Sequence, residues 1–216
     1  RPLILNWADE NIPAIVQAWH LGTQSGYAIS EVLYGDYNPS GKLTMSFPRS
    51  VGQMPLYYSR KSTGRPGADG EDQGSVFWSH YQDEKNSPLY PFGYGLSYTS
   101  FDYSQITLTD SKMSPDETIN ADITITNTGK EKGKEVVQMY IHDRYASATR
   151  PIRELKGFQI VELDPGESKT VTFKIDESLL KFYSGNNRWE AEPGDFDIYI
   201  GTNSDTKLKA SFILND

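Results

Sequence analysis

From Phe101 onward the chain is written in strands. Seven runs of strand-forming residues recur at regular spacing: Phe101–Asp110, Thr118–Asn127, Val136–Asp143, Glu154–Leu163, Thr170–Ile175, Asp195–Gly201 and Leu208–Leu214. Apolar residues alternate with polar ones at Ile119, Ala121, Ile123 and Ile125, and again at Val171, Phe173 and Ile175. A period of two puts these side chains on one face of a pleated strand. Between the runs stand Asn127-Thr128-Gly129, Asp164-Pro165-Gly166 and Pro193-Gly194-Asp195, where proline presets φ and glycine accepts positive φ, so the chain can reverse. Half-buried strands joined by tight turns predict two antiparallel sheets packed face to face.

With no cysteine in the chain, the Cys…Trp…Cys pattern of an immunoglobulin domain is absent, and a fibronectin type III-like sandwich is the expected form. Residues 1–88 follow another grammar. Leu3–Trp7 reads as the tail of a buried strand. Asp9-Glu10-Asn11 reads as helix-start chemistry, which Pro13 limits to a turn or a helix N-terminus. Ala14–Trp19, an apolar run bounded by Gly22, reads as a buried parallel strand. Tyr27, Ile29, Val32 and Leu33 fall at helical spacing between Gln24 and Tyr34, and Gly35 follows as a stop. Asp36–Gly41 is turn chemistry, and Lys42–Phe47 alternates like a short edge strand ending at Pro48. Residues 49–88 are irregular but carry Tyr57, Tyr58, Phe77, Trp78 and Tyr81; so long a loop is functional, disordered or a misassigned element, and its aromatics argue against disorder.

The two grammars meet at Leu89-Tyr90-Pro91-Phe92-Gly93-Tyr94-Gly95-Leu96-Ser97-Tyr98-Thr99. Glycines at 93 and 95 permit positive φ, while the aromatics pin the chain to what lies beneath. Tyr94 and Tyr98 are expected to dock the sandwich onto the preceding part. A phosphate-cradling loop is excluded, because a strand rather than a helix N-terminus follows. The expected organisation is therefore residues 1–88, a linker at 89–99, and a sandwich at 100–216.

A formal net charge of -8 lacks the basic footprint that nucleic acid or an anionic membrane surface requires, and no run of roughly 18 apolar residues is present to span a bilayer. A neutral partner such as a sugar is compatible. His20, His80 and His142 lie far apart without metal-ligand spacing. Gly35…Gly41-Lys42 has five residues between its glycines and Leu43 where a P-loop needs Ser or Thr. No cofactor and no metal is expected. The carboxylate pairs Asp9/Glu10, Glu71/Asp72 and Asp83/Glu84 are sequence neighbours; on extended backbone neighbours point to opposite sides, which suits helix starts and solvated loops. The chain opens at Arg1 in a strand-like run, as a fragment or processed product would.

Gly35-Asp36-Tyr37-Asn38-Pro39-Ser40-Gly41-Lys42-Leu43, Ser46-Phe47-Pro48, the 89–99 stretch, Val137-Gln138-Met139-Tyr140, Arg150-Pro151 and Glu154-Leu155-Lys156-Gly157-Phe158 together resemble the C-terminal part of family 3 glycoside hydrolases, closest to periplasmic β-glucosidases. The resemblance implies a mixed fold: the C-terminal part of an α/β sandwich domain followed by an antiparallel fibronectin type III-like β-sandwich. It also implies a retaining, exo-acting parent enzyme that removes terminal β-D-glucosyl residues, in the periplasm or secreted. The barrel Asp nucleophile and the acid/base Glu of the family are not matched here, so no catalytic residue is assigned and the chain alone is expected to be inactive. Expected partners are the remainder of the glycosidase and a β-linked glucoside or oligosaccharide. Within Ser59–Tyr81, Arg65 and Trp78 are the candidate substrate-rim residues, since a guanidinium suits sugar hydroxyls and an indole suits a pyranose face; the competing reading has Trp78 pinning the loop. A stand-alone carbohydrate-binding or protein-interaction module is the alternative for the whole chain.

Overall fold

The structure is a computed structural model that describes residues 1–66 and 77–216. Two helices come first, α1 (Asn6–Asn11) and α2 (Ser25–Tyr34). The helix expected from Tyr27, Ile29, Val32 and Leu33 is thus present, and Gly35 ends it at φ 83°, a left-handed conformation that favours glycine. Three other upstream expectations need correction. Leu3–Leu5 is coil leading into α1, and Asp9-Glu10-Asn11 close that helix rather than start one. Ala14–Trp19 forms no strand and is largely exposed. A parallel strand is held only by neighbours on its edges, and among the described residues none flanks it.

The sandwich is built from β1 (Phe101–Tyr103), β2 (Thr107–Leu108), β3 (Lys112–Met113), β4 (Thr118–Asn127), β5 (Gly133–Asp143), β6 (Glu154–Leu163), β7 (Ser168–Asp176), the short helix α3 (Glu177–Leu180), β8 (Phe182–Tyr183), β9 (Trp189–Glu190), β10 (Gly194–Gly201) and β11 (Lys209–Leu214). In one sheet β4 is central, with β7 on one edge and β1 then β2 on the other. The single run expected at Phe101–Asp110 is interrupted because Ser104 Oγ accepts the Thr124 amide at 3.0 Å, replacing a backbone partner. The second sheet has the order β3-β11-β10-β5-β6. Its pairs are antiparallel except β3 with β11, which is parallel, so the expected antiparallel sandwich carries one parallel edge. β8 and β9 form a separate hairpin.

The alternation read in β4 and β7 sends Ile119, Ala121, Ile123, Ile125, Val171, Phe173 and Ile175 into the core, where they meet Val137, Met139, Ile141, Phe196, Ile198, Ile200 and Phe212. β5 does not alternate: Val137 to Ile141 are all buried. Its outer face is covered by the 89–99 segment and Tyr58, which stacks on Phe92 at 4.2 Å and meets Tyr140 edge-on at 6.0 Å. Gln138 donates from Nε2 to the carbonyls of Gly93 (3.1 Å) and Thr202 (2.5 Å), and accepts from the Tyr140 hydroxyl at 2.5 Å.

This contact explains Gly93. Its φ is 80°, and a Cβ there would stand 2.0 Å from Gln138 Oε1. Gly93→Ala is therefore expected to destabilise the chain by about 2–4 kcal/mol through backbone strain and displacement of Gln138. The check is a lower chemical-denaturation midpoint than that of Gly166→Ala, a control with positive φ but open space around it.

Candidate functional site

Two features of the upstream part bear on function: its junction with the sandwich and the loop that carries Arg65 and Trp78. The junction is made by the Gly35–Leu43 turn. Asn38 donates to Lys132 O at 2.9 Å and accepts from Ser97 Oγ and the Tyr98 amide, each at 2.8 Å. Four residues on, Lys42 donates to Gly95 O at 2.8 Å and pairs with Glu135 at 3.0 Å, the two side chains being 10% and 2% exposed. The other Glu135 oxygen accepts from the Tyr103 hydroxyl at 2.8 Å. Burial first, and the Glu135 charge second, hold the Tyr103 phenol far above its usual range.

The segment after Lys42 runs along the linker. Leu43 N bonds Tyr94 O and Gly93 N bonds Leu43 O, while Phe47 exchanges backbone bonds with Leu89 and Tyr90. The edge strand expected at Lys42–Phe47 is thus reduced to a single antiparallel bridge, Phe47 to Tyr90. Tyr94 stacks on Tyr90 at 5.3 Å, and the Tyr90 hydroxyl donates to Asp9 at 2.5 Å, tying α1 to the linker. Burial, reinforced by Asp9, pushes the Tyr90 phenol up to about 12. The Tyr98 ring is half exposed, and the residue reaches the upstream part through polar groups: its hydroxyl donates to Val32 O at 2.6 Å and its amide to Asn38 Oδ1. Docking therefore rests on Asn38 and Lys42 more than on a Tyr98 ring, and neither was assigned a role from the sequence. Lys42 and Glu135 lie 93 positions apart, so no local pattern links them.

The loop departs from the sandwich at a defined root. Lys61 bridges to Pro151, the Ile152 amide bonds Arg60 O at 2.9 Å, and the Leu155 amide reaches the Tyr58 hydroxyl at 3.4 Å. A second pairing, Pro66 with Ser79 and Ser79 N to Arg65 O at 2.9 Å, draws the two arms together. Arg65 and Trp78 are brought to this neck. Arg65 is exposed and its guanidinium lies 5.7 Å from the Phe77 ring centre. Trp78 is half-buried, and its carbonyl bonds His80 Nδ1 at 2.7 Å.

The carboxylate pairs are not gathered here. Asp9 is engaged by Tyr90, Glu84 accepts from the Lys85 amide, and Glu71/Asp72 lie outside the described residues. His20 is exposed, and His142 sits on β5, where burial lowers its pKa.

With this geometry in hand, the comparisons define the class. Residues 1–98 match the glycosyl hydrolase family 3 C-terminal domain and residues 135–204 the fibronectin type III-like domain, and these two domains set the class of the chain. It belongs to family 3 and resembles that family's β-glucosidases. It is 50% identical over 214 residues to the periplasmic β-glucosidase of Salmonella typhimurium, covering 99% of this chain and 28% of that protein. A β-xylosidase of Formosa agariphila is 44% identical over 204 residues, covering 94% of this chain and 27% of that protein. The β-glucosidase of Listeria innocua, solved with glucose, superposes with a TM-score of 0.94 at 39% identity, over 100% of this chain and 30% of that one. The chain thus spans less than a third of the length of these relatives.

The junction yields a direct test. Lys42→Met leaves Glu135 buried without its counter-ion and should cost about 3–5 kcal/mol. Adding Glu135→Gln keeps an acceptor for Tyr103 and should restore most of that loss. A double-mutant cycle by urea denaturation measures both, and additive losses would refute the coupling.

Proposed function

We propose that this chain is the C-terminal scaffold of a retaining, exo-acting β-glucosidase that acts outside the cytoplasm on terminal β-D-glucosyl residues. Its own work is to complete the α/β domain and to hold the loop carrying Arg65 and Trp78 at the rim of the sugar site. The nucleophile and the acid/base carboxyl come from the remainder of the enzyme. The proposed divisions are 1–88, the 89–99 linker and 100–216.

One observation carries this reading. The sandwich has a filled core, whereas the helical part rigidly attached to it presents Trp7, Tyr27 and Leu33, 69%, 73% and 64% exposed, together with Ile4, Val16 and Tyr34. An apolar surface of that extent marks a protein–protein contact, and the relatives are three to four times longer than the chain. A stand-alone carbohydrate-binding module would have no use for such a face. The similarity to a β-xylosidase makes a xyloside the second substrate to test.

Retaining hydrolysis needs two carboxyls about 5–5.5 Å apart across one glycosidic bond. The 216-residue chain should therefore release no chromophore from nitrophenyl β-glucoside or β-xyloside, while the longer enzyme that contains it does. Sustained turnover by the chain, abolished by one Asp or Glu substitution within it, would sink the scaffold reading.

The rim assignment is tested in the longer enzyme. Losing a stacked aromatic worth about 0.5–1.5 kcal/mol, Trp78→Ala should raise KM for a disaccharide roughly 2–10-fold with kcat little changed. An unchanged KM would make Trp78 a loop anchor alone.

A further inference from the structure

Beside the root of that loop, two buried polar atoms face each other without a hydrogen-bond partner among the described residues. They are Asp143 Oδ2, at the end of β5, and Arg150 Nε. The residue Asp143 is only 7% exposed. The two atoms stand 3.8 Å apart, close enough to attract but too far for a direct hydrogen bond.

Neither side is placed to close the gap. Arg150 Nη2 donates to Glu154 Oε2 at 3.1 Å, and the guanidinium carbon sits 4.4 Å from the centre of the Phe182 ring. Glu154 is itself held by Lys156 at 2.8 Å. Moving Nε toward Asp143 would pull the guanidinium off both the carboxylate and the ring. Burial raises the Asp143 carboxyl above the usual range, against the pull of Arg150 and of a hydrogen bond from the Tyr145 backbone, as expected for a carboxylate that loses more to desolvation than its partners return.

A cavity of about 10 Å³ adjoins the pair, lined by Asp143, Arg150, Glu154 and Lys156 on its polar side and by Ile141 and Leu179 on its apolar side. That is the room of roughly one water. Two cationic and two anionic side chains balance one another, so neither a free anion nor a cation is favoured, and a neutral molecule that both donates and accepts fits. We propose that this cavity is a binding site for a single structural water, which accepts from Arg150 Nε–H and donates to Asp143 Oδ2. The water completes the cluster from which Pro151 and Ile152 reach Lys61 and Arg60, so it braces the loop root from inside the sandwich. This reading does not depend on the proposed enzymatic role.

Crystals of the 216-residue chain at about 1.6 Å resolution should show an isolated density peak within about 3.2 Å of both atoms. In solution, Arg150 Hε should give a cross-relaxation peak to water that is lost in Asp143→Leu. A direct Asp143–Arg150 hydrogen bond in the crystal, an empty cavity, or an observable Arg150 Hε without the water cross-peak would each overturn the proposal.

Discussion

The architecture of this chain depends on one buried ion pair. Lys42 and Glu135 belong to segments with unrelated folding rules, and both lie almost out of reach of solvent. Removing two charges from water is expensive, and the attraction offsets it only when the remaining donors and acceptors are satisfied. Here they are: Gly95 O takes a second hydrogen bond from Lys42, and Tyr103 takes the second oxygen of Glu135. Such a pair contributes little as glue but fixes registration strongly, because any slip leaves a bare charge in the interior. The turn preceding Lys42 is fixed in the same way by Asn38, whose amide is divided between the linker and the β4–β5 connection.

Close approach of backbone does the rest. A Cβ at Gly95 would lie 2.4 Å from Gly41 O, and one at Gly133 would lie 2.6 Å from Thr99 Cγ2. The linker can therefore lie flat on the second sheet, where Phe92 and Tyr58 cover Tyr140. β5 is buried on both faces from Val137 to Ile141 as a result, and its neighbour β10 has no exposed residue either, whereas β7 and β11 alternate between core and solvent. The aromatic and glycine residues of the linker are complementary: the rings supply the area, and the glycines remove what would hold that area away.

This rigid junction gives the exposed apolar face of residues 1–57 its meaning. A loosely tethered segment could fold its apolar side chains back on itself, but one clamped through Asn38, Lys42 and Tyr90 presents them in a fixed arrangement. The loop that begins at Ser59 has its outgoing arm rooted on the sandwich, through Lys61 with Pro151 and Arg60 with Ile152, and its returning arm held by Gln53 of the upstream part. The fibronectin type III-like domain thereby holds one arm of that loop in place.

The residues themselves determined the sandwich. Period-two alternation, turn residues and the stop at Gly35 are local properties, and β4 and β6 keep the bounds their sequence predicts. The family was legible too, because its motifs are short and contiguous. Only the tertiary structure decided what depends on partners distant in sequence. Ala14–Trp19 has the composition of a buried strand yet lies exposed, since a strand exists only through its neighbours. Tyr98, expected to dock by its ring, does so by its hydroxyl and amide. Lys42 reads as the first residue of an edge strand, and only the fold brings Glu135, 93 residues away, beside it; Arg65 and Trp78 share a neck because Pro66 meets Ser79. Local sequence sets which conformations are accessible; which groups are desolvated together, and so which charges and rings matter, is fixed only when the chain closes on itself.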